Sequence, residues 1–151
     1  MKKFFASAFF FLTLTIFSAN VNAAANWIWV YSDEYVSMWI DNNSIGRDGN
    51  GFFAYFKETY SDAGVNRQIE INRSNGLPVS GYYNLSDTVE LVYFKNSGRT
   101  KYLSVMGYVD HDKDGNVLNS WSTNYFNWHR IIPDTYGETK YDAAYARVIG
   151  R

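Results

Sequence analysis

An acidic loop at residues 110–116, with the sequence DHDKDGN, has the clearest spacing for chemistry in this chain. Alternate oxygen-bearing side chains on a tight loop, with glycine in the sixth place, are how a calcium loop collects its ligands. The twelfth place, where an EF-hand has a bidentate glutamate, is Trp121, and the flanking segments have strand patterns instead of helical ones. We therefore predict a hairpin turn held by its own Asp and Asn side chains, with a weak calcium site as the alternative. The ligands of that alternative site are Asp110, Asp112, Asp114 and Asn116.

Few other residues have the spacing of a catalytic or metal site. The two histidines, His111 and His129, have no partners at zinc-binding spacing. The chain contains no cysteine, which excludes thiolate ligands and thiol catalysis. No G-x-S-x-G elbow, phosphate-binding P-loop or S-x-x-K motif occurs in it. We therefore expect no cofactor.

Three glutamates, Glu58, Glu70 and Glu90, fall on segments with strand-like patterns and are the candidates for a carboxylate pair. Hydrolysis of a glycosidic bond uses two carboxyl groups ~5 to 10 Å apart. Charged residues on the solvated side of a sheet are, however, the ordinary case. The main prediction is therefore a domain that is not an enzyme, and a secreted hydrolase using paired carboxylates is the alternative.

Aromatic residues are abundant beyond the N-terminal segment, which alone holds six of the 11 Phe. The rest of the chain has five Phe, 13 Tyr and five Trp. Such rings bury large areas while tyrosine keeps a polar tip, which suits a sheet with one covered face and one solvated face. Exposed rings also anchor partners. The candidate contact residues for a protein or glycan partner are Tyr82, Tyr83, Tyr125 and Trp128.

The first 23 residues have the pattern of a Sec signal peptide. Lys2 and Lys3 precede an uncharged apolar run at residues 4–17, and small residues follow up to Ala23. The apolar run is shorter than the ~20 residues that span a bilayer, which favours a cleaved signal over an anchor. We predict cleavage after Ala23, with Ala25 as the alternative. The product is one exported domain at residues 24–151 without a membrane span, located in the periplasm, on the cell surface or in the medium.

The predicted domain is mildly acidic. Without the two lysines of the signal it has 12 Lys and Arg against 15 Asp and Glu, a formal charge of −3. This balance argues against a nucleic-acid partner, because binding to a phosphate backbone requires an excess of basic residues. We expect a host or envelope protein, or a glycan, as the partner.

Alternation of side-chain types predicts an antiparallel pair of strands at the centre of the fold. The pattern of residues 35–41 has a period of two, and a long turn rich in Gly and Asn leads to a second run at residues 52–60. Residues 88–95 and 100–110 form the clearest hairpin. Further strands are predicted at residues 27–31, 65–73, 117–123 and 128–133.

Two segments do not have strand patterns. Ser74–Asp87 contains glycine and proline and is predicted as an irregular loop that lies across the sheet as a flap. Tyr141, Ala144 and Val148 recur at helical spacing. Residues 137–148 are therefore predicted as an amphipathic helix. The predicted fold is mainly β: a single antiparallel sheet of about six or seven strands with one short C-terminal helix packed on it.

Four pieces of the sequence together match a known pattern. They are Trp39-Ile40-Asp41-x-x-Ser44-Ile45, the aromatic strand at residues 53–57, GNVLxS at residues 115–120, and WxxIIPDTxGE at residues 128–138. With these motifs the chain resembles the surface-adhesin protein E-like family of small exported bacterial proteins. The resemblance extends over most of residues 24–151, and the D-x-x-S-I and W-x-x-I-x-P pieces carry most of it.

The resemblance implies an antiparallel sheet with a C-terminal helix on one side and a role at the cell envelope or surface. The founding adhesin binds host matrix proteins such as vitronectin and laminin, so an adhesin-like protein partner is implied for this chain. The chain has neither the cysteine pair common in the family nor a cysteine for lipid attachment. The resemblance therefore does not imply a lipid anchor.

Overall fold

The computed structural model describes residues 25–150. The predicted signal peptide and its cleavage point after Ala23 lie outside the described residues. Within residues 25–150 the chain forms eight β-strands, two α-helices and a 3-10 turn at Tyr82–Asn84. The strands are β1 (Trp27–Ser32), β2 (Val36–Asp41), β3 (Gly46–Asp48), β4 (Gly51–Tyr60), β5 (Leu85–Ser97), β6 (Thr100–Asp112), β7 (Val117–Ser122) and β8 (His129–Arg130). The helices are α1 (Asp62–Ser74) and α2 (Tyr136–Ile149).

All eight strands join one antiparallel sheet with the order β1-β2-β4-β5-β6-β7. The two short strands extend it locally, since β3 pairs with the beginning of β4 and β8 pairs with the beginning of β6. The predicted central pair is present as β2 and β4, and the predicted hairpin is present as β5 and β6. The predicted antiparallel sheet with a C-terminal helix packed on it is confirmed.

Helix α2 packs on one face of the sheet through the main hydrophobic core. Alternate residues of β2 and β4 project to this face, so that Met38, Ile40 and Phe56 are fully buried there. Tyr141 and Ala144, three residues apart on α2, bring the helix against them. Full burial of one such large side chain contributes about 1.5 to 3 kcal/mol. This core therefore supplies most of the stability of the helix–sheet contact.

The strand predicted at residues 65–73 is wrong, because these residues belong to helix α1. Ser61 caps the helix, since its hydroxyl oxygen accepts the backbone N–H of Gly64 at 3.1 Å. The β-branched residues of this segment favour a strand. The cap and the helical spacing of the buried side chains outweigh this preference and stabilise a helix. Those buried side chains, at i, i+4 and i+7, are Val65, Ile69 and Asn72.

A second hydrophobic cluster holds α1 against the same face of the sheet. Its buried members are Val65, Ile69, Tyr82 and Leu85. The irregular loop predicted at residues 74–87 is shorter in the structure, because β5 already begins at Leu85. The 3-10 turn before β5 packs with α1 through Tyr82, so the end of this segment is part of the core.

Gly64 lets the first turn of α1 approach the backbone of Tyr35. A Cβ atom at this position would collide with the carbonyl oxygen of Tyr35, whereas Gly49 has no atom within 4 Å of the corresponding point. We expect Gly64→Ala to lower the free energy of unfolding by about 1 to 3 kcal/mol through overpacking. Gly49→Ala should change it by less than about 0.5 kcal/mol. Urea unfolding of both variants checks this, and equal stability would contradict the close approach.

Candidate functional site

The face of the sheet opposite the two helices carries rows of aromatic side chains. Residues directly opposite each other on neighbouring antiparallel strands project to the same face. Trp29, Trp39 and Lys57 form one such row across β1, β2 and β4. Phe53 of β4 and Tyr93 of β5 begin a second row. Because Phe56 of β4 points to the helices, Phe53 and Lys57, at odd positions of the same strand, point away from them.

Lys57 lies among the indole rings of the first row. Its Nζ is 4.9 Å from the centre of the Trp27 ring and 5.9 Å from that of Trp39, within the range of a cation–π interaction. Trp29 is 56% exposed, whereas Trp27 and Trp39 are half-buried. The indole N–H of Trp39 is buried, and no acceptor meets it among residues 25–150. This row therefore presents indole surface and a lysine charge on the open side of the sheet.

The second row continues onto the segment that follows β7. Phe53 stacks on Tyr93 with ring centres 4.8 Å apart, and Phe126 meets Tyr93 edge to face at 5.1 Å. Trp128 stacks on Phe126 at 5.2 Å with nearly parallel rings, and Lys95 Nζ lies 4.1 Å from the Trp128 ring centre. We name the whole surface the aromatic face. It consists of Trp27, Trp29, Trp39, Phe53, Lys57, Tyr93, Lys95, Phe126 and Trp128.

The charge of the aromatic face comes chiefly from its two lysines, both of which lie over ring faces. The hydroxyl of Tyr93 donates a hydrogen bond of 3.1 Å to the carboxylate of Asp48. Burial and this carboxylate raise the pKa of Tyr93 to about 12, so Tyr93 is neutral at physiological pH. The face thus combines apolar ring area with cationic groups.

The four rings predicted as partner contacts lie in different places. Trp128 is half-buried and belongs to the aromatic face. Tyr83 and Tyr125 are 69% and 85% exposed, and neither has a ring–ring contact with another described residue. Tyr82 is buried, and its hydroxyl donates to the carboxylate of Asp110. Burial removes Tyr82 from any surface that a partner can reach.

Sequence reasoning missed most of the aromatic face. The period of two in β4 assigns Phe53 and Lys57 to one side, but the neighbours of these residues depend on the register of three strand pairs. The available signal was the pair Trp27 and Trp29 at alternate positions of β1, together with Trp39 in β2. No local sequence pattern predicts that these indole rings lie beside Lys57.

A buried charged cluster joins α2 to the helix-covered face. Lys140 Nζ lies 2.7 Å from Glu58 Oε1 and also contacts Glu90 Oε1. All three side chains are only 11–14% exposed. The structure therefore brings together two of the three glutamates predicted as candidates for a carboxylate pair, while Glu70 lies on the exposed side of α1.

Hydrogen bonds extend this cluster toward β6. The hydroxyl of Tyr60 lies 3.3 Å from Glu58 Oε2 and 2.9 Å from the hydroxyl of Thr88. Thr88 in turn donates to Asp110 at 2.6 Å. Along β4, Phe56 belongs to the α2 core and Tyr60 packs on the α1 cluster, so these polar groups separate the two hydrophobic clusters. We name them the polar seam: Glu58, Tyr60, Tyr82, Thr88, Glu90, Asp110 and Lys140.

Burial and the neighbouring charges together set the pKa values of the polar seam, and burial prevails for two of its carboxyl groups, Glu90 and Asp110. Burial raises the pKa of Glu90 above its usual range, although the adjacent Lys140 ammonium lowers it. It also raises the pKa of Asp110, against the hydrogen bonds from Thr88 and Tyr82. Burial by itself would lower the pKa of Lys140, but the carboxylates of Glu58 and Glu90 outweigh it and raise that pKa. Lys140 is therefore charged at neutral pH and shares its charge between two carboxylates.

The geometry of Glu58 and Glu90 bears on the hydrolase alternative. A glycosidase pair must leave room for the scissile bond between two carboxyl groups ~5 to 10 Å apart. In this protein the ammonium of Lys140 occupies the space between them. The arrangement favours a structural ion cluster that fixes the position of α2 on the sheet.

The acidic loop between β6 and β7 is held by its own hydrogen bonds. One carboxylate oxygen of Asp112 accepts the backbone N–H groups of Asp114 and Asn116 at 2.9 and 2.8 Å, and the other accepts the Asn116 amide. The Asn116 side chain and these N–H groups lower the pKa of Asp112. Asp110 points into the polar seam instead. Across residues 25–150, no three His, Asp or Glu side chains are grouped to hold a metal ion.

Lys140→Met leaves Glu58 and Glu90 without their shared cation. We expect the free energy of unfolding at pH 7 to fall by about 3 to 5 kcal/mol, the usual loss when one partner of a buried ion pair is removed. The loss should shrink as the pH falls toward the ordinary pKa of glutamate, because protonation neutralises the unpaired carboxylates. Denaturant unfolding at pH 7 and at pH 5 measures both effects.

Lys101→Met is the matched control, because the ion pairs of Lys101 with Glu138 and Asp142 are more exposed. We expect it to cost less than about 1 kcal/mol. A loss in Lys140→Met that does not change with pH would contradict the ion-cluster assignment.

Asp112→Ala removes the acceptor of three N–H groups in the acidic loop. We expect a loss of about 1 to 2 kcal/mol in the free energy of unfolding, with or without calcium. Asp114→Ala is the control and should be nearly neutral, because within residues 25–150 the Asp114 side chain accepts no hydrogen bond. A calcium-dependent rise in the melting temperature of the unmodified domain would instead support the calcium alternative, since a ligand of the folded state stabilises it.

Two further observations concern membrane-spanning helices and similarity to known proteins. Within the described part of the chain, no helix combines the length and the apolar character needed to cross a membrane. Comparison with protein-family models, curated proteins and solved structures gave no match. The resemblance to the surface-adhesin protein E-like family therefore stays a prediction.

Proposed function

We propose that this chain is an exported, non-enzymatic domain that binds a protein partner through its aromatic face. The observation that carries the proposal is the alignment of Trp29, Trp39 and Lys57 with the rings around Tyr93 on the side of the sheet that neither helix covers. Trp and Tyr rings are among the residue types that dominate the binding energy of protein interfaces.

The shape of the surface favours a macromolecule over a small ligand. Neighbouring strands lie about 4.8 Å apart, so the six strands that follow one another across the sheet present a face more than about 20 Å wide. An interface of standard size buries about 800 Å² on each partner, which an open sheet face can supply. Sites for small molecules are concave instead. A protein partner is therefore the better match than a single sugar unit.

The partly buried state of the rings also supports binding. Trp27, Trp39, Phe53 and Tyr93 are half-buried by their neighbours, so their rotamers are restricted before a partner arrives. Fixed side chains lose less entropy on association, which leaves more of the contact energy as affinity. Stacking of Phe53 on Tyr93 and the lysine contacts with the indole rings supply this restriction.

The N-terminal segment and the family resemblance support the cellular setting. A Sec signal pattern at residues 1–23 directs export, to the periplasm, the cell surface or the medium. The resemblance to the surface-adhesin protein E-like family adds an adhesin-like role, with a host or envelope protein as the partner. The function proposed is thus a binding domain of the cell envelope or of the secreted proteins.

The test uses residues 24–151 and purified vitronectin and laminin as probes on a biosensor surface. We expect saturable binding to at least one of them, weakened about tenfold or more by Trp29→Ala, which corresponds to a loss of about 1.4 kcal/mol or more. Trp121→Ala is the matched control. Trp121 is 48% exposed, close to the 56% of Trp29, but its register with Tyr108 and Glu90 places it on the helix-covered face.

Three results would count against this function. Absence of saturable binding to both proteins removes the adhesin-like partners. Equal weakening by Trp29→Ala and Trp121→Ala removes the aromatic face as the site. Saturable binding to heparin or peptidoglycan, lost in Trp29→Ala while both proteins fail to bind, assigns a glycan partner in place of a protein.

A further inference from the structure

A cavity of about 210 Å³ lies on the helix-covered face, between α1, the β2–β4 part of the sheet and the beginning of α2. Three tyrosines, Tyr35, Tyr60 and Tyr136, are among its lining residues, together with Glu58. Neither the aromatic face nor the acidic loop contributes to it. The cavity is smaller than the roughly 300 to 1,000 Å³ of pockets for drug-sized molecules, so its volume suits a ligand no larger than a single amino acid.

The sequence of α1 builds one wall of this cavity. Close packing of Gly64 on the Tyr35 backbone sets the distance of the helix from the sheet. Arg67, Gln68 and Ile71 follow at i+3, i+4 and i+7 from Gly64, so they share one side of the helix and line the cavity. Ile71 is 42% exposed there, which leaves apolar surface for a ligand to cover.

Opposite charges lie at two places on the cavity wall. The guanidinium of Arg67 is 4.5 Å from the Tyr35 ring, and within residues 25–150 it has no ion-pair partner. One carboxylate oxygen of Glu58 is engaged by Lys140 at 2.7 Å, and the other lies 3.3 Å from the Tyr60 hydroxyl, whose proton is also shared with Thr88. Since Lys140 is shared with Glu90, one positive charge faces two carboxylates. The cavity wall therefore carries the Glu58 carboxylate and the Arg67 guanidinium, and the hydroxyl of its lining residue Tyr136 donates to the Asp33 carboxylate.

We propose that this cavity binds a free α-amino acid with an apolar or aromatic side chain. The carboxylate of the ligand pairs with the Arg67 guanidinium, which offers a fork of N–H donors suited to carboxylates. The ammonium of the ligand lies toward the Glu58 carboxylate, which lines the cavity. The ligand side chain covers Ile71 and packs among the tyrosine rings. The site is on the opposite face of the sheet from the proposed protein-binding surface, and the inference does not depend on that function.

The choice of a zwitterion follows from the two charges together. A ligand with a carboxylate alone would bring a third carboxylate toward Glu58 and Glu90, which is unfavourable at low dielectric. A ligand with an amine alone would leave Arg67 unpaired and gain nothing from it. An amino acid satisfies both ends within a single small molecule.

The test titrates residues 24–151 with L-phenylalanine by isothermal calorimetry, with 3-phenylpropionate and phenethylamine as probes that each lack one charge. We expect saturable binding of one L-phenylalanine per domain and at least tenfold weaker binding of both single-charge probes. L-phenylalanine should also raise the melting temperature, as a ligand of the folded state does. Failure of L-phenylalanine to bind at millimolar concentration overturns the proposal, and equal binding of either single-charge probe overturns the assignment of a zwitterion.

Arg67→Met tests the site without disturbing the core, because Arg67 is exposed and methionine keeps the apolar stem. We expect L-phenylalanine to bind at least tenfold more weakly to this variant and the melting temperature of the free variant to stay close to that of the unmodified domain. Arg73→Met, an exposed arginine of the same helix that does not line the cavity, is the control and should bind normally. Unchanged binding in Arg67→Met overturns the proposal. Trp29→Ala should not affect L-phenylalanine binding, so the two proposals fail independently.

Discussion

The alternation of side chains along β4 is the constraint on which both faces of this protein depend. Phe52, Phe56 and Tyr60 project toward the helices, whereas Phe53 and Lys57 project toward the open side. Because the side-chain period of a strand is two, a slip of one residue in the register of β4 would place the core rings in solvent and Lys57 in the core. Pairing with β2 on one side and β5 on the other prevents that slip. The core, the polar seam and the aromatic face are thus consequences of one register.

The polar seam fixes the position of α2 on the sheet. A continuous apolar face would allow α1 and α2 to settle at several positions, since hydrophobic contact is not directional. Lys140 makes one position preferable, because only there does its ammonium meet both Glu58 and Glu90. The cost of desolvating these charges cancels much of the attraction between them, so their contribution to net stability is small compared with the cost of removing one partner. Their effect is on where α2 sits, and hence on the width of the cavity between the helices.

How far the sequence predicts this structure depends on how local each feature is. The strands β2 and β4, the β5–β6 hairpin and α2 follow from periods of two or from helical spacing within a few residues, and the structure has them. Helix α1 was missed because Val65, Ile69 and Ile71 are strand-favouring residues, and the cap of Ser61 on Gly64 outweighs that preference. The sequence alone does not predict that Glu58 and Glu90 lie close together. Their approach depends on the β4–β5 register and on a lysine from a helix distant in the sequence. Tyr82 was predicted at the surface because its segment contains glycine and proline, but its ring fills the gap between α1 and β5.

The two proposed sites both use residues of β4, but they lie on opposite faces of the sheet. This position determines whether binding at one site affects the other. Lys57 and Glu58 are adjacent in β4, yet their side chains leave the sheet on opposite faces. The partner surface is formed mainly by strands, whose positions are set by backbone pairing across the whole sheet, and Phe126 and Trp128 join it from the segment between β7 and β8. The cavity is lined on one side by Val36, Glu58 and Tyr60 of the same sheet and on the others by α1 and the beginning of α2. Of these walls, only the helices depend for their positions on the two hydrophobic clusters and the polar seam. A ligand that fills the cavity therefore acts mainly on the helices, and the paired strands transmit little of that change to the aromatic face. Because the side chains of the two sites lie on opposite faces and share no contact, we expect a substitution in one site to change binding at the other only slightly.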